Sequence, residues 1–213
     1  ILGCTEFMGI RFCVNENVLT PRPDTEILVQ EAIKCIEEKM NTSSSHKIKV
    51  LDMCTGSGCI AVSIKHFIPE AEVHAADISE PALNTARKNA QNYDIIFHQS
   101  NYFDSFKNNE KTNDVNKFDI IVSNPPYIPT DDIANLQPDV RLHEPHLALD
   151  GGKDGYDSYK KIIAAAPDYL SEHGILLLEA GIDQANRLCE MMKKDFTDII
   201  TVCDYGGIER VVY

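Results

Sequence analysis

From about residue 48 onward the chain alternates between strand-like and helix-like apolar patterns, and this alternation restricts its fold more than any other feature. Strand-like runs cover 48–53, 72–78, 95–99, 118–123, 175–180 and 199–203, and helical spacing predicts helices near 58–67, 80–92, 156–170 and 183–195. Strands linked through helices make right-handed parallel crossovers, which predicts a doubly wound, mainly parallel α/β sheet. The alternation stops at the C-terminal end. Only Asp204-Tyr205-Gly206-Gly207 separates the run ending at Cys203 from the run 208–213. So short a link cannot make a parallel crossover, and the last pair is predicted to be an antiparallel hairpin.

Ahead of the alternation, the runs Glu6-Phe7-Met8 and Ile10–Val14 flank Gly9 and predict a β-hairpin linker over 1–20. Pro21-Arg22-Pro23-Asp24 marks a break. Asp24 or Thr25 can cap a helix to about Met40, with Ile27, Leu28, Ala32, Ile33, Ile36 and Met40 on one face. Residues 41–47 read as a polar loop, and the Asn-rich stretch Lys107–Lys117 as a mobile surface loop. At 213 residues and 43% hydrophobic, the chain buries one core, so 21–213 is expected to be one domain. The longest apolar stretch, Gly174–Ala180, is far too short to span a membrane. The chain opens on Ile1 rather than Met, so a preceding segment is expected. Seven cysteines, several inside apolar runs, predict reduced buried thiols and a cytoplasmic location rather than a disulfide framework. The net charge of -13 disfavours a life on phosphate contacts and suits a basic protein partner or a cationic cofactor.

Asn124-Pro125-Pro126-Tyr127 directly follows the apolar run Phe118–Ser123. Two prolines end the strand ladder and hold Asn124 extended at its tip. The Asn124 side chain and the Pro125 carbonyl are then two acceptors above the sheet, suited to gripping a planar –NH2 group. Tyr127 offers a flat face to stack on it. This arrangement points to methylation of a planar nitrogen, with Asn124, Pro125 and Tyr127 as catalytic candidates and Pro126 completing the acceptor site.

The turn Asp52-Met53-Cys54-Thr55-Gly56-Ser57-Gly58 ends the first strand and opens a helix. Glycines there let backbone approach a ligand, and the helix N-terminus faces it. Asp77 lies 21 residues beyond Gly56 at the end of the next strand, placed to accept from ribose hydroxyls. The same spacing fits a dinucleotide fingerprint, so on this motif S-adenosylmethionine and NAD are rivals. Three features favour S-adenosylmethionine. Asp52 precedes the turn, where a carboxylate can meet the methionine end; the terminal hairpin suits a methyltransferase sheet; and a dehydrogenase has no use for the Asn-Pro-Pro-Tyr site. Cys54 and Cys59 lack a second cysteine pair and read as core thiols rather than metal ligands. His143-Glu144-Pro145-His146 reads as a loop near the acceptor site, because Pro145 breaks helical ligand spacing. Arg22 suits either an acidic partner or a cofactor carboxylate.

Taken together, these stretches resemble the release-factor glutamine methyltransferase family nearly end to end. The matching stretches are Glu6-Phe7-Met8-Gly9, Pro21-Arg22-Pro23-x-Thr25-Glu26, the 52–58 turn, Asp77, Asn89-Ala90 and Asn124–Tyr127. The match continues through Glu144-Pro145-x-x-Ala148-Leu149-Asp150-Gly151-Gly152 and Arg210-Val211-Val212. The resemblance implies the class I methyltransferase fold, S-adenosylmethionine as cofactor and a further N-terminal helical domain not contained in this chain. It also implies transfer to the N5 of a glutamine in the Gly-Gly-Gln loop of peptide chain release factors. A monomer with no membrane or direct nucleic-acid partner is expected. Cys54 departs from the family's usual Gly, which predicts a tighter backbone constraint. Tyr102, where the family often has Trp, would pack on the adenine with less area. Glutamine methylation of a ribosomal protein, and adenine-N6 methylation through the same tetrapeptide after base flipping, remain open on the residues alone.

Overall fold

The structure, a computed structural model, describes residues 3–42, 47–107 and 117–213. Its centre is β6 (Phe118–Ser123), buried at every position. A strand apolar on both sides needs a neighbour on each edge and a layer on each face. On its edges lie β3 (Lys49–Met53) and β7 (Leu170–Glu179), both parallel to it. Beyond β3 come β4 (Glu72–Asp77) and β5 (Ile95–Gln99), giving the order β5-β4-β3-β6-β7 before the C-terminal pair. The crossover helices are α2 (Cys59–Phe67), α3 (Glu80–Asn89) and α6 (Asp157–Tyr169), with α7 (Ala185–Met192) following β7. The helix predicted before the sheet is α1 (Thr25–Thr42), two residues longer than its apolar stripe.

Two core layers sandwich the sheet. Ile120 and Val122 pack with α1 and α2, through Leu28, Ala32, Ile36, Ala61, Val62 and Ile64. Ile121 faces the opposite layer with Tyr159, Ile162 and Ile163 of α6 and Leu188 of α7. Burying a side chain of this size is worth about 1.5–3 kcal/mol, so these two layers hold the sheet.

The hairpin prediction holds at the C-terminus, with an addition. β8 (Thr201–Cys203) pairs antiparallel with β9 (Glu209–Val212), and β9 inserts between β8 and β7. It is antiparallel to both neighbours, so β8 runs with the rest of the sheet. The strand predicted over 175–180 begins earlier, at Leu170. Leu170 pairs with Phe118 and Ile175 with Ile120, so Ser171–Gly174 bulge out, with His173 in the left-handed region at φ 61°. Most of the loop predicted over 107–117, and of that over 41–47, lies outside the described residues. The segment between β6 and α6 carries two short helices with no sequence periodicity, α4 (Pro138–His143) and α5 (His146–Leu149). No helix among the described residues is long and apolar enough to cross a membrane.

At the start of the chain, β1 (Cys4–Phe7) and β2 (Ile10–Cys13) form the predicted hairpin. Phe7 and Phe12 meet edge to face at 6.1 Å and are buried in the α1 layer. Asn89, at the end of α3, fastens the hairpin. Its Oδ1 accepts from Cys13 N at 2.7 Å, and its Nδ2 donates to Cys13 O at 3.0 Å and to Ser57 O at 2.9 Å. One side chain thereby ties β2 to the glycine turn. Replacing it (Asn89→Ala) should cost about 1–3 kcal/mol and make residues 3–14 the first segment cut in limited proteolysis. An unchanged cleavage pattern at wild-type Tm would refute the fastening role.

Candidate active site

The chain leaves β5 and returns to the other side of β3 as β6, so the carboxyl ends of β3 and β6 border the crevice where open α/β sheets bind ligands. Ser123 sits opposite Met53 in the register, and its Oγ donates to Met53 O at 2.6 Å. Beyond Met53 the backbone turns left-handed at Cys54 (φ 62°), Gly56 (53°) and Gly58 (80°). Cys54 therefore bears, in a side-chain residue, a conformation costing about 1–2 kcal/mol, the constraint predicted from its replacing a glycine. A Cβ on Gly58 would meet Ala86 Cβ at 3.0 Å, so this glycine lets α3 approach. A Cβ on Gly56 would point into open space, the space in front of the turn that a ligand can fill.

Asp52 lies under this turn, fully buried. Its Oδ2 accepts from Thr55 Oγ1 at 2.5 Å and from Ala61 N in the first turn of α2 at 3.1 Å. It lines neither chamber described below, and these two bonds brace the turn and the first turn of α2 from beneath. Oδ1 has no partner among the described residues, and burial pushes the carboxyl up to about 7. Asp77 is placed as predicted. Its Oδ2 accepts from Gly56 N and its Oδ1 from Ser79 N, both at 2.9 Å, and burial raises its pKa. Ser79, not Asp77, caps α3, accepting from Ala82 N.

Two connected chambers open in front of the turn. The first, about 90 Å³, is walled by Thr55, Gly56, Ser57, Thr25, Asn124 and Pro126, and on its outer side by Asn17, Val18 and Leu19 of the segment after β2. The second, about 340 Å³, is walled by Ile78, Ser100, Asn101, Tyr102, Ser158 and Lys161. Cys54, Asp77, Pro126 and Leu147 border both. Tyr102 stands at φ 51° with its hydroxyl donating to Ser158 Oγ at 2.8 Å. Arg22 resolves as an ion pair, its Nη2 2.7 and 2.8 Å from the two oxygens of Glu144. That pair holds α5, and with it Leu147, across the first chamber.

Asn124 reaches the first chamber from the tip of β6, with its Nδ2 donating to Thr25 Oγ1 at 3.2 Å. Pro126 lines both chambers, whereas the Pro125 side chain is buried away from them. Tyr127 is locked in place. Its carbonyl accepts from Gln184 Nε2 at 3.0 Å, and Ile128 beyond it forms an isolated parallel bridge with Asp150. A Cβ on Gly151 would stand 2.7 Å from Tyr127 Cα, so the Asp-Gly-Gly turn approaches this backbone as only glycine permits. Burial, with the Glu179 carboxyl next in effect, pushes the Tyr127 hydroxyl up to about 12.

Comparison with known proteins settles the kinship. Residues 29–140 match the family model described as the methyltransferase small domain. Over its whole length the chain is 42% identical to the release factor glutamine methyltransferase of Geobacter sulfurreducens, covering 70% of that protein. The chain belongs to the release factor glutamine methyltransferase family. It is also 41% identical, over 99% of its length, to the family member of Neisseria gonorrhoeae, covering 73% of it. A solved methyltransferase from Pyrococcus furiosus has the same fold, with a TM-score of 0.66 at 17% identity over 96% of this chain and 88% of its own. The protein is an S-adenosylmethionine-dependent methyltransferase.

For this methyltransferase the cleft fits that cofactor on its own geometry: two chambers meeting at a strand-end carboxylate, before a glycine turn whose Gly56 leaves open space. Sequence reasoning missed the wall formed by 17–19, the clamp Gln184, and the buried Thr25 and Glu179 behind Asn124. A single acid inside the apolar run 175–180 was the available signal for Glu179.

Two expectations follow. Gly151→Ala should destabilise the fold by about 1–3 kcal/mol, read as a drop in Tm; no change would mean that the Tyr127 backbone yields freely. The second concerns pH. Because the folded-state pKa of Asp52 is raised, its contribution to stability is present below about 4 and lost as pH rises through about 7. Asp52→Asn lacks this loss. The variant's Tm minus that of wild type should therefore climb between pH 4 and 7 and level off above; a pH-independent difference would contradict the buried, raised carboxyl.

Proposed function

We propose that this enzyme methylates the side-chain N5 of a glutamine in a protein, the Gly-Gly-Gln loop of a peptide chain release factor, acting in the cytoplasm. The observation that carries the reading is Asn124, held at the tip of β6 with its amide at the wall of the cofactor cleft beside Pro126. The names of its relatives support the release factor as substrate. In the cleft, Asp77 would accept from the ribose hydroxyls, and Tyr102 with Ile78 and Asn101 would enclose the adenine. The backbone of Thr55, Gly56 and Ser57 would receive the methionine end, while Cys54 and Gly58 give the turn its path.

The bound cofactor supplies an electrophilic methyl carbon on a sulfonium. The residues of the chain align and polarise the acceptor. A glutamine amide nitrogen is weakly nucleophilic because its lone pair is shared with the carbonyl. The Asn124 Oδ1 and the Pro125 carbonyl would accept its two N–H bonds, and these bonds strengthen as the nitrogen becomes positive, favouring the transition state over the ground state. Tyr127 would pack against the amide plane, orienting it for in-line attack. Its raised hydroxyl stays protonated near neutral pH and is no base, so the proton shed by the methylated nitrogen would pass to solvent, with the sulfonium leaving as a neutral thioether.

The test is methyl transfer from labelled S-adenosylmethionine to a release factor, its Gly-Gly-Ala variant, ribosomal proteins and adenine-containing duplex DNA. Label on the release factor and none on its variant is expected. Label confined to ribosomal protein or DNA would overturn the substrate assignment. Asn124→Ala should lower kcat about 100-fold or more while cofactor affinity stays within a few-fold of wild type. Transfer at near wild-type rate would remove Asn124 from its role.

A further inference from the structure

Behind Asn124 lies a short buried chain of polar groups that the chemistry above does not use. Thr25, the first residue of α1, is 2% exposed, and Glu179, the last of β7, is 2% exposed. Ser123 pairs with Leu178 across the strands, so Asn124 and Glu179 follow side by side at the ends of β6 and β7. Thr25 Oγ1 accepts from Asn124 Nδ2 at 3.2 Å, and the Glu179 carboxyl lies near enough to the side chains of both Thr25 and Asn124 for each to offset part of the rise that burial gives its pKa. Its Oε2 has no partner among the described residues.

A carboxyl group this deep is costly unless it does something. An isolated Thr25 hydroxyl could donate to an amide oxygen or accept from an amide nitrogen, leaving Asn124 free to present either end. With the Glu179 carboxyl beside it, the Thr25 hydroxyl is biased to donate there and to accept from Asn124. The Asn124 –NH2 then points inward to Thr25, and Oδ1 is the group left for the cleft. An amide turned the other way would set –NH2 against –NH2 and repel an amide substrate. Burial pushes the Glu179 carboxyl up to about 7, yet one oxygen can carry a proton while the other still accepts.

We infer that Glu179 and Thr25 are positioning residues, which fix the Asn124 side-chain amide with its oxygen toward the acceptor and so select substrates that present N–H donors. The inference rests on the reading of Asn124 as the acceptor grip. Glu179→Gln keeps an accepting oxygen and can place its –NH2 where Oε2 lacks a partner; Thr25→Ser keeps the hydroxyl. Glu179→Leu and Thr25→Val remove the device in two independent ways.

The test measures kcat and KM for methylation of the release factor, with the cofactor dissociation constant alongside. Glu179→Leu and Thr25→Val should each lower kcat about tenfold or more, as loss of a supporting partner does, with cofactor affinity within threefold. Glu179→Gln and Thr25→Ser should recover most of the rate. In an Asn124→Ala background, Glu179→Leu should have no further effect, since it acts through Asn124. Additive losses in that double variant, equal losses in cofactor affinity, or wild-type rates in both Glu179→Leu and Thr25→Val would each overturn the inference. If instead Asn124→Ala itself leaves the rate unchanged, the acceptor-grip reading fails first.

Discussion

The return of the chain to the middle of the sheet, β6 laid against β3 with Ser123 opposite Met53, is the constraint on which the cleft depends. It puts the end of one apolar strand beside the beginning of the glycine turn, and the Ser123–Met53 hydrogen bond fixes how far each projects. From that register the left-handed turn over 54–58 faces the extended Asn124, and the two chambers open between them. A one-residue slip of β6 would send Asn124 to the other face of the sheet. Burial of every β6 residue, far more than any hydrogen bond, forbids that slip.

Around this register the protein spends its buried charge sparingly and in matching places. Asp52 and Glu179 sit at the ends of β3 and β7, each almost wholly buried and each with one oxygen unpartnered among the described residues. Both are held near neutral pH by burial, and both serve a neighbour rather than the cleft directly. Asp52 sets the turn through Thr55 and the first turn of α2; Glu179 sets Asn124 through Thr25. The glycines 151, 155 and 181 do the complementary job around Tyr127, admitting its backbone and ring to contacts that a Cβ would block.

Much of this was readable before any coordinates. The apolar run flanked by breaks gave β6 its bounds to the residue, because burial on both faces leaves few polar positions to blur them. The four-residue link fixed the terminal hairpin, yet not the insertion of β9 between β7 and β8, which depends on which edge is free and leaves no local mark. The helices α4 and α5 escaped for a physical reason. Each is under two turns long, begins beside a proline and offers no stripe to a core. Within the site, Asn124, Pro126, Asp77, Tyr102 and residues 54–57 border the chambers, since strand ends are legible; Gly58 and Tyr127 line neither chamber, Tyr127 facing a separate hollow with Gly181 and Gln184. The burial of Asp52 beneath the turn was not legible, because its exposure is decided by α2 packing above it. Thr25 and Glu179 are far apart in sequence and meet only through the sheet register, which no local pattern encodes.

The segment after β2 is at once the outer wall of the first chamber and the continuation of a hairpin that Asn89 ties to the glycine turn. A wall that is also a tether makes occupancy of the cleft and the attitude of the hairpin reciprocal quantities. Whatever free energy a ligand gains by closing against residues 17–19 is gained equally by the docked hairpin over its undocked form, and any partner that grips the hairpin in this pose tightens the cleft by the same factor. The hairpin and the cleft are thus linked through a few residues of backbone.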